Sequence, residues 1–161
     1  MNANAFRHFY DYHLSQNRTI WDAYVMQLSE EQFTQAANYS KGSIRDQIMH
    51  LISADDIWFS ELQNIESLEP PPPASNREAI RAHWDKVEQR MRSYLAGLQD
   101  EMLFAQPIQE PEEDRVLRVW QVLLHAANHG TDHRAQILRL LNDLGVKTTS
   151  QDYIFYIYEH L

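Results

Sequence analysis

The sequence predicts an all-α chain: four long helices packed as an antiparallel bundle, with a short helix near the C-terminal end. Three observations lead there. Apolar residues recur at steps of three and four along four separate stretches, the period of an amphipathic helix. Glycine and proline are sparse, at four and six residues, and four of the prolines are consecutive; a chain of many short strands needs more turn signals than that. The stretches between the periodic runs are short, and short connections set successive helices side by side in opposite directions. At 161 residues the chain reads as a single domain, 1–161, long enough to bury a substantial core.

The first helix is expected from about Asn4 to Leu28, with Phe6, Phe9 or Tyr10, His13, Asn17, Ile20 or Trp21, Tyr24 and Leu28 on its inward stripe. His13 and Asn17 are polar residues on an otherwise aromatic face. They fit either the edge of the bundle with local hydrogen bonds, the commoner situation, or the lining of a pocket. Ser29 to Gln32 has the form of a cap opening a short helical turn before a loop at Ala36 to Gly42. Ser43 with Asp46 three residues on opens the second helix, which runs to about Ile65. His50 lies off the centre of its apolar arc, on a side shared with Ala54 and Ile57, so periodicity permits it to face inward without requiring it. Asp55 falls on the main arc; a salt bridge at a helix end or edge is the ordinary reading, and a carboxylate orienting an imidazole is the functional one.

Pro70 to Pro73 ends the hairpin, since proline lacks an amide donor and clashes inside helices, and forms a stiff polyproline-type connector. Asn76 caps a third helix carrying Ile80, Trp84, Val87, Met91, Leu95 and Leu98, with His83 beside the stripe at the surface or rim. An acidic loop from Pro107 to Asp114 leads into a fourth helix that starts between Val116 and Trp120 and stops before Gly145, a natural C′ glycine. The segment Gln151 to Leu161, with Tyr153, Tyr156 and Tyr158, is expected to form a short helix that lays its aromatic face on the bundle or on a second subunit.

Composition excludes several classes of function. Hydrophobic residues at 43% and charged residues at 23% are ordinary for a soluble globular protein. A net charge of −9 argues against a phosphate-backbone binder, which needs clustered Lys and Arg. There is no cysteine, hence no disulfide, thiolate ligand or cysteine nucleophile; any thiol chemistry needs a small-molecule thiol. The first residues lack a signal-peptide core and no apolar run reaches membrane-spanning length, so a cytoplasmic location is expected.

The stretch richest in chemistry is His125-Ala-Ala-Asn-His129-Gly-Thr-Asp-His133-Arg-Ala-Gln. Four helical residues advance roughly 400°, which stacks i and i+4 on one face. Val122, Ala126, His129, His133, Ile137, Leu140 and Leu144 share the inward stripe, and His125 lies just off it. A core face does not normally carry two imidazoles without partners for their nitrogens. The sharpest hypothesis is a three-histidine metal site, with His129 and His133 from the fourth helix and His50 from the second. A hydrogen-bonded buried pair is the bland alternative. Two other metal templates are absent: there is no His-Glu-x-x-His motif and no Glu-x-x-His pair of the carboxylate-bridged di-iron bundles.

The segment from Leu124 to Ile137, followed by Leu140 and Gly145, resembles the C-terminal signature of the DinB/YfiT-like family: a histidine, an Asn-His pair, then His-Arg-Gly-Gln leading into an amphipathic helix. Gly42 to Trp58, where His50 opens a run ending in a tryptophan, resembles the family's other block, and Asp152-Tyr153 fits its tail. The resemblance implies a four-helix bundle holding one divalent transition metal, such as Zn, Ni or Fe, on three histidines that match His50, His129 and His133. His125 matches a recurrent position that is not usually a ligand and suits a pocket or supporting role, as His13, Asn17 and Asp55 also do. The chain departs from the pattern at Asp132, where a second adjacent histidine is common, and at Ala135, where glycine is common; neither departure removes a ligand. Family habit also implies a homodimer and, in characterised relatives, metal-dependent chemistry on a small-molecule substrate with a low-molecular-weight thiol. The expectation is therefore a thiol S-transferase, or secondly a hydrolase. The alternative is a non-catalytic, metal-stabilised bundle acting as a dimeric stress-response or binding module.

Overall fold

The first helix, α1 (Ala3–Thr19), starts at Asn2, whose side-chain oxygen accepts from the Ala5 amide at 2.9 Å. In this computed structural model, which describes residues 1–72, 76–109 and 114–160, the helical path beyond Thr19 changes type. A π turn covers Ile20–Tyr24 and a 3₁₀ turn Val25–Gln27, where one α-helix to Leu28 is expected from the sequence. A π turn takes more residues per turn, and here it lets Ile20, Trp21, Tyr24 and Val25 all reach the interior.

The capping residues act as their types predict. Ser29 and Gln32 exchange side-chain and backbone hydrogen bonds around the start of α2 (Glu30–Thr34). Ser43 and Asp46 do the same for α3 (Ile44–Gln63), which stops at Asn64 in the left-handed region, φ 51°, slightly before the expected end. Asn76 accepts from the Ala79 amide to open α4 (Arg77–Gly97). After a 3₁₀ segment, Asp100–Phe104, α5 (Val119–Asp143) ends with Gly145 at φ +80°. The last helix is α6 (Tyr153–Glu159). No strand occurs among the described residues, and none of their helices is long and apolar enough to cross a membrane. Pro73, residues 110–113 of the acidic loop and Leu161 lie outside the described residues.

Packing sets these helices around one core. α3 lies against both α4 and α5, and α1 against the same two helices. Ile48, Leu51 and Ile52 of α3, Val87 of α4 and Leu123, Ile137 and Leu141 of α5 are fully buried, each contributing about 1.5–3 kcal/mol for a large aliphatic side chain. Trp21 meets Trp84 edge to face at 5.8 Å. Polar ties fix the ends. Arg7 donates to the carbonyls of Leu95 and Leu98 at the end of α4, and Arg77 donates to those of Leu28 and Ser29. His83 is buried and not at the surface or rim, because it sits next to Trp84 on a helix covered on more than one side. Tyr153 and Tyr156 of α6 pack on Phe9, Tyr12 and His8 of α1, which is the expected aromatic docking of the tail.

Candidate metal centre

The extensive α3–α5 contact is what brings three imidazoles together. His129 and His133, one turn apart on α5, have ring centroids 4.3 Å apart. His50 comes from α3, 4.5 Å from the His133 ring and 5.1 Å from the His129 ring. Each residue offers one ligand nitrogen, and the three nitrogens lie within 4.8 Å of one another; His50 Nε2 and His129 Nε2 are 3.2 Å apart. Metal–imidazole bonds of about 2.0–2.1 Å in tetrahedral geometry set such nitrogens roughly 3.3 Å apart, so small ring rotations suffice to close the triangle. His133 is buried, and His50 and His129 are half-buried.

Hydrogen bonds and burial tune these rings as neutral donors. Gln47, one turn before His50 on α3, places its side-chain oxygen 3.0 Å from His133 Nδ1. That oxygen takes the Nδ1 proton and leaves the Nε2 lone pair free. Gln47 is held by Gln136, and Gln136 in turn donates to Asp132 at 2.9 Å. Asp132 thus anchors a relay that ends on a candidate ligand. Burial first, then the charge of His133 and of Lys41, pushes the His50 pKa down to about 4. Burial also lowers the pKa of His129 and of His133. Neutral imidazole is the metal-binding form, so the donor set fits a divalent transition ion. His125 stands outside the triangle: it is exposed and meets Trp58 edge to face at 5.0 Å, at the rim of the cluster.

Behind the triangle lies a second group of buried polar side chains. His13, Asn17, Asp55 and Arg134 are each at most 2% exposed. Arg134 donates to His13 Nδ1 and to the Asn17 side-chain oxygen, both at 3.0 Å, and further to Thr131 and Gln151. With Nδ1 accepting, His13 directs its Nε2 proton to Asp55 Oδ2 at 3.3 Å. Burial lowers the His13 pKa despite the carboxylate beside it. Asp55 is therefore an interior acceptor and not a salt bridge at a helix end or edge. His13 and Asn17 likewise sit in the interior and not at a bundle edge, because Arg134 reaches in to satisfy them. Gly130 makes room for this: a Cβ there would lie 2.3 Å from His13 Cε1.

The DinB family model matches residues 1–160, essentially the whole chain. The chain belongs to the DinB family. No curated protein matches it. In this DinB-family chain the structure brings together His50, His129 and His133 and sets the exposed His125 beside them, its ring 6.0 Å from that of His129. Gln47, Gly130 and Arg134 are supporting residues that the sequence reading passed over. Arg134 had a visible signal, since Leu123, Ala127, Gly130, Arg134 and Leu141 form a second stripe on α5, all of it buried.

Proposed function

We propose that this DinB-family protein is a cytoplasmic metal-dependent enzyme. It holds one divalent transition metal, zinc, nickel or iron, on His50, His129 and His133, and acts on a small molecule with a low-molecular-weight thiol, or secondly water, as nucleophile. The observation that carries this reading is the convergence of three neutral imidazoles, one nitrogen each, within 4.8 Å. Among the described residues no fourth His, Cys, Asp or Glu joins that group, and two of its members are half-buried. Both features favour a site with an open position over a closed structural one.

When bound, the ion would supply the positive charge that makes a thiolate or hydroxide accessible at neutral pH. The chain's own residues do the rest. Gln47 holds the His133 tautomer, burial keeps the three rings uncharged, and Trp58 with His125 supplies an aromatic rim for an incoming electrophile. The chain contains no cysteine, so the sulfur comes with the small molecule. Gln47 meets His133, His50 meets His129 and Trp58 meets His125; these pairs run in opposite sequence order along α3 and α5. With α1 and α4 completing the ring of contacts, they support an antiparallel four-helix bundle. Ile154, Phe155 and Tyr158 remain exposed on α6, which supports a homodimer formed through the tail; sedimentation as a monomer would contradict it.

The activity is tested by loading the purified protein with zinc, nickel or iron and following thiol consumption against a panel of small electrophiles, with ester hydrolysis in parallel. Metal-dependent turnover that disappears in His50→Ala and His133→Ala is expected. Fully loaded protein that turns over nothing in either panel would refute the enzymatic reading and favour a metal that pins α3 to α5.

A further inference from the structure

Buried polar atoms nearly always have partners. Among the described residues, four buried side-chain atoms have none: Asp55 Oδ1, His129 Nδ1, Arg77 Nε and Arg81 Nη1. The two arginine atoms belong to α4, in guanidinium groups already engaged elsewhere, with the Leu28 and Ser29 carbonyls and with Asp85. The other two are chemically complementary. A carboxylate oxygen only accepts, and Nδ1 of a neutral imidazole can donate.

They also belong to the same layer of the interior. Asp55 is on α3 and His129 on α5, the helices in closest association. The other Asp55 oxygen takes His13, and the His13 ring abuts Gly130, the residue after His129. On its opposite side the His129 ring turns Nε2 toward His50.

In the structure these two atoms are not bonded to each other. We propose that Asp55 is a positioning residue for the metal centre: a small turn of the side chains brings its Oδ1 to accept the His129 Nδ1 proton, so that the His129 Nε2 lone pair faces His50 and His133. Carboxylates placed behind a metal-binding imidazole fix its tautomer and orientation and make it a better donor. Here the carboxylate is itself held from behind by a buried chain, Arg134 to His13 to Asp55. The orientation of His129 is thus set from α1 and α5 together, through a side chain on α3. The consequence for metal affinity rests on the metal-binding reading; the hydrogen bond itself does not.

Two measurements test it. In ¹⁵N-labelled, metal-free wild-type protein at neutral pH, long-range ¹H–¹⁵N NMR reports the tautomer of each imidazole, with His129 assigned by loss of its signals in His129→Gln. The Nδ1–H tautomer is expected to predominate for His129, and Asp55→Asn is expected to move the population toward Nε2–H. A predominant Nε2–H form in the wild type would overturn the proposal, whatever the folding of the variant. Zinc affinity, measured by competition with a chromogenic chelator, is expected to weaken about 10–100-fold in Asp55→Asn. It should stay unchanged in Ile80→Val, a core substitution on α4 away from the triangle. Unchanged zinc affinity in a folded Asp55→Asn would also overturn the positioning role. Failure of the wild type itself to bind zinc would instead defeat the metal reading, and the tautomer would then decide the Asp55–His129 bond alone.

Discussion

Gly130→Ala is the perturbation whose outcome depends most on how α1 meets α5. In an isolated helix the change is favourable by about 1 kcal/mol. In this fold the new methyl group would sit 2.3 Å from His13 Cε1, 3.0 Å from His13 Nδ1 and 3.2 Å from the nearest Arg134 nitrogen. His13 is 0% exposed, so its ring has no solvent to swing into. Forcing a methyl group into a filled interior costs about 1–3 kcal/mol. Displacing the ring also breaks at least one hydrogen bond to a charged partner, Arg134 or Asp55, at about 1.5–3 kcal/mol. Taken together with the helix-propensity gain, the expected net destabilisation is about 1.5–5 kcal/mol. For a chain of this size that lowers Tm by on the order of 10 °C. Gly97→Ala is the matched control, since a Cβ there meets nothing within 4 Å; it should be neutral or stabilise by up to about 1 kcal/mol. The assay is thermal and urea unfolding of both variants in the metal-free protein. A Gly130→Ala protein as stable as wild type would refute the close packing of His13 against α5.

Further expectations concern charge and ligand identity. His13, His50, His129 and His133 all have folded pKa values below 6.5, that of His50 at about 4. The unfolded chain therefore binds more protons in that interval, so stability of the metal-free protein is full above it and falls as pH drops from about 6.5 toward about 4. Urea unfolding across the window should show this decline and a shallower one in His50→Gln; equal slopes would contradict the assignment. Arg134→Met strands His13, Asn17 and Asp55 without their buried cation and should cost about 3–5 kcal/mol, read by the same unfolding assay; a loss under about 1 kcal/mol, the scale of an exposed ion pair, would show that the network is not closed. His125→Ala should keep its metal, measured by elemental analysis, because His125 lies on the rim; loss of metal would make it a ligand.

The caps and helix faces were largely legible in the sequence because they depend on local chemistry. Ser29, Ser43, Asn76 and Gly145 each do in the structure what their residue types and spacing announce. The i,i+4 pair His129 and His133 was legible for the same reason. His50 was less so, since periodicity gives the angle of a side chain about its helix and says nothing of which helix faces it; the pattern permitted an inward His50, and the family resemblance strengthened that reading. The π turn at Ile20–Tyr24 was hidden because its residues suit an α-helix equally well, and the tertiary contacts of Trp21 select the wider turn. Asp55, His13 and Asn17 looked like edge residues because each alone is costly to bury, and Arg134 was passed over. Only the fold reveals that they are buried together, and that Gly130 exists to let them meet.

The central claim, that His50, His129 and His133 form one metal centre, is tested most directly by elemental analysis of tag-free protein alongside His129→Ala. About one transition-metal ion per chain in the wild type, lost in the variant while the fold persists, is the predicted result. Absence of metal from the wild type even after reconstitution, or equal metal in both proteins, would contradict it.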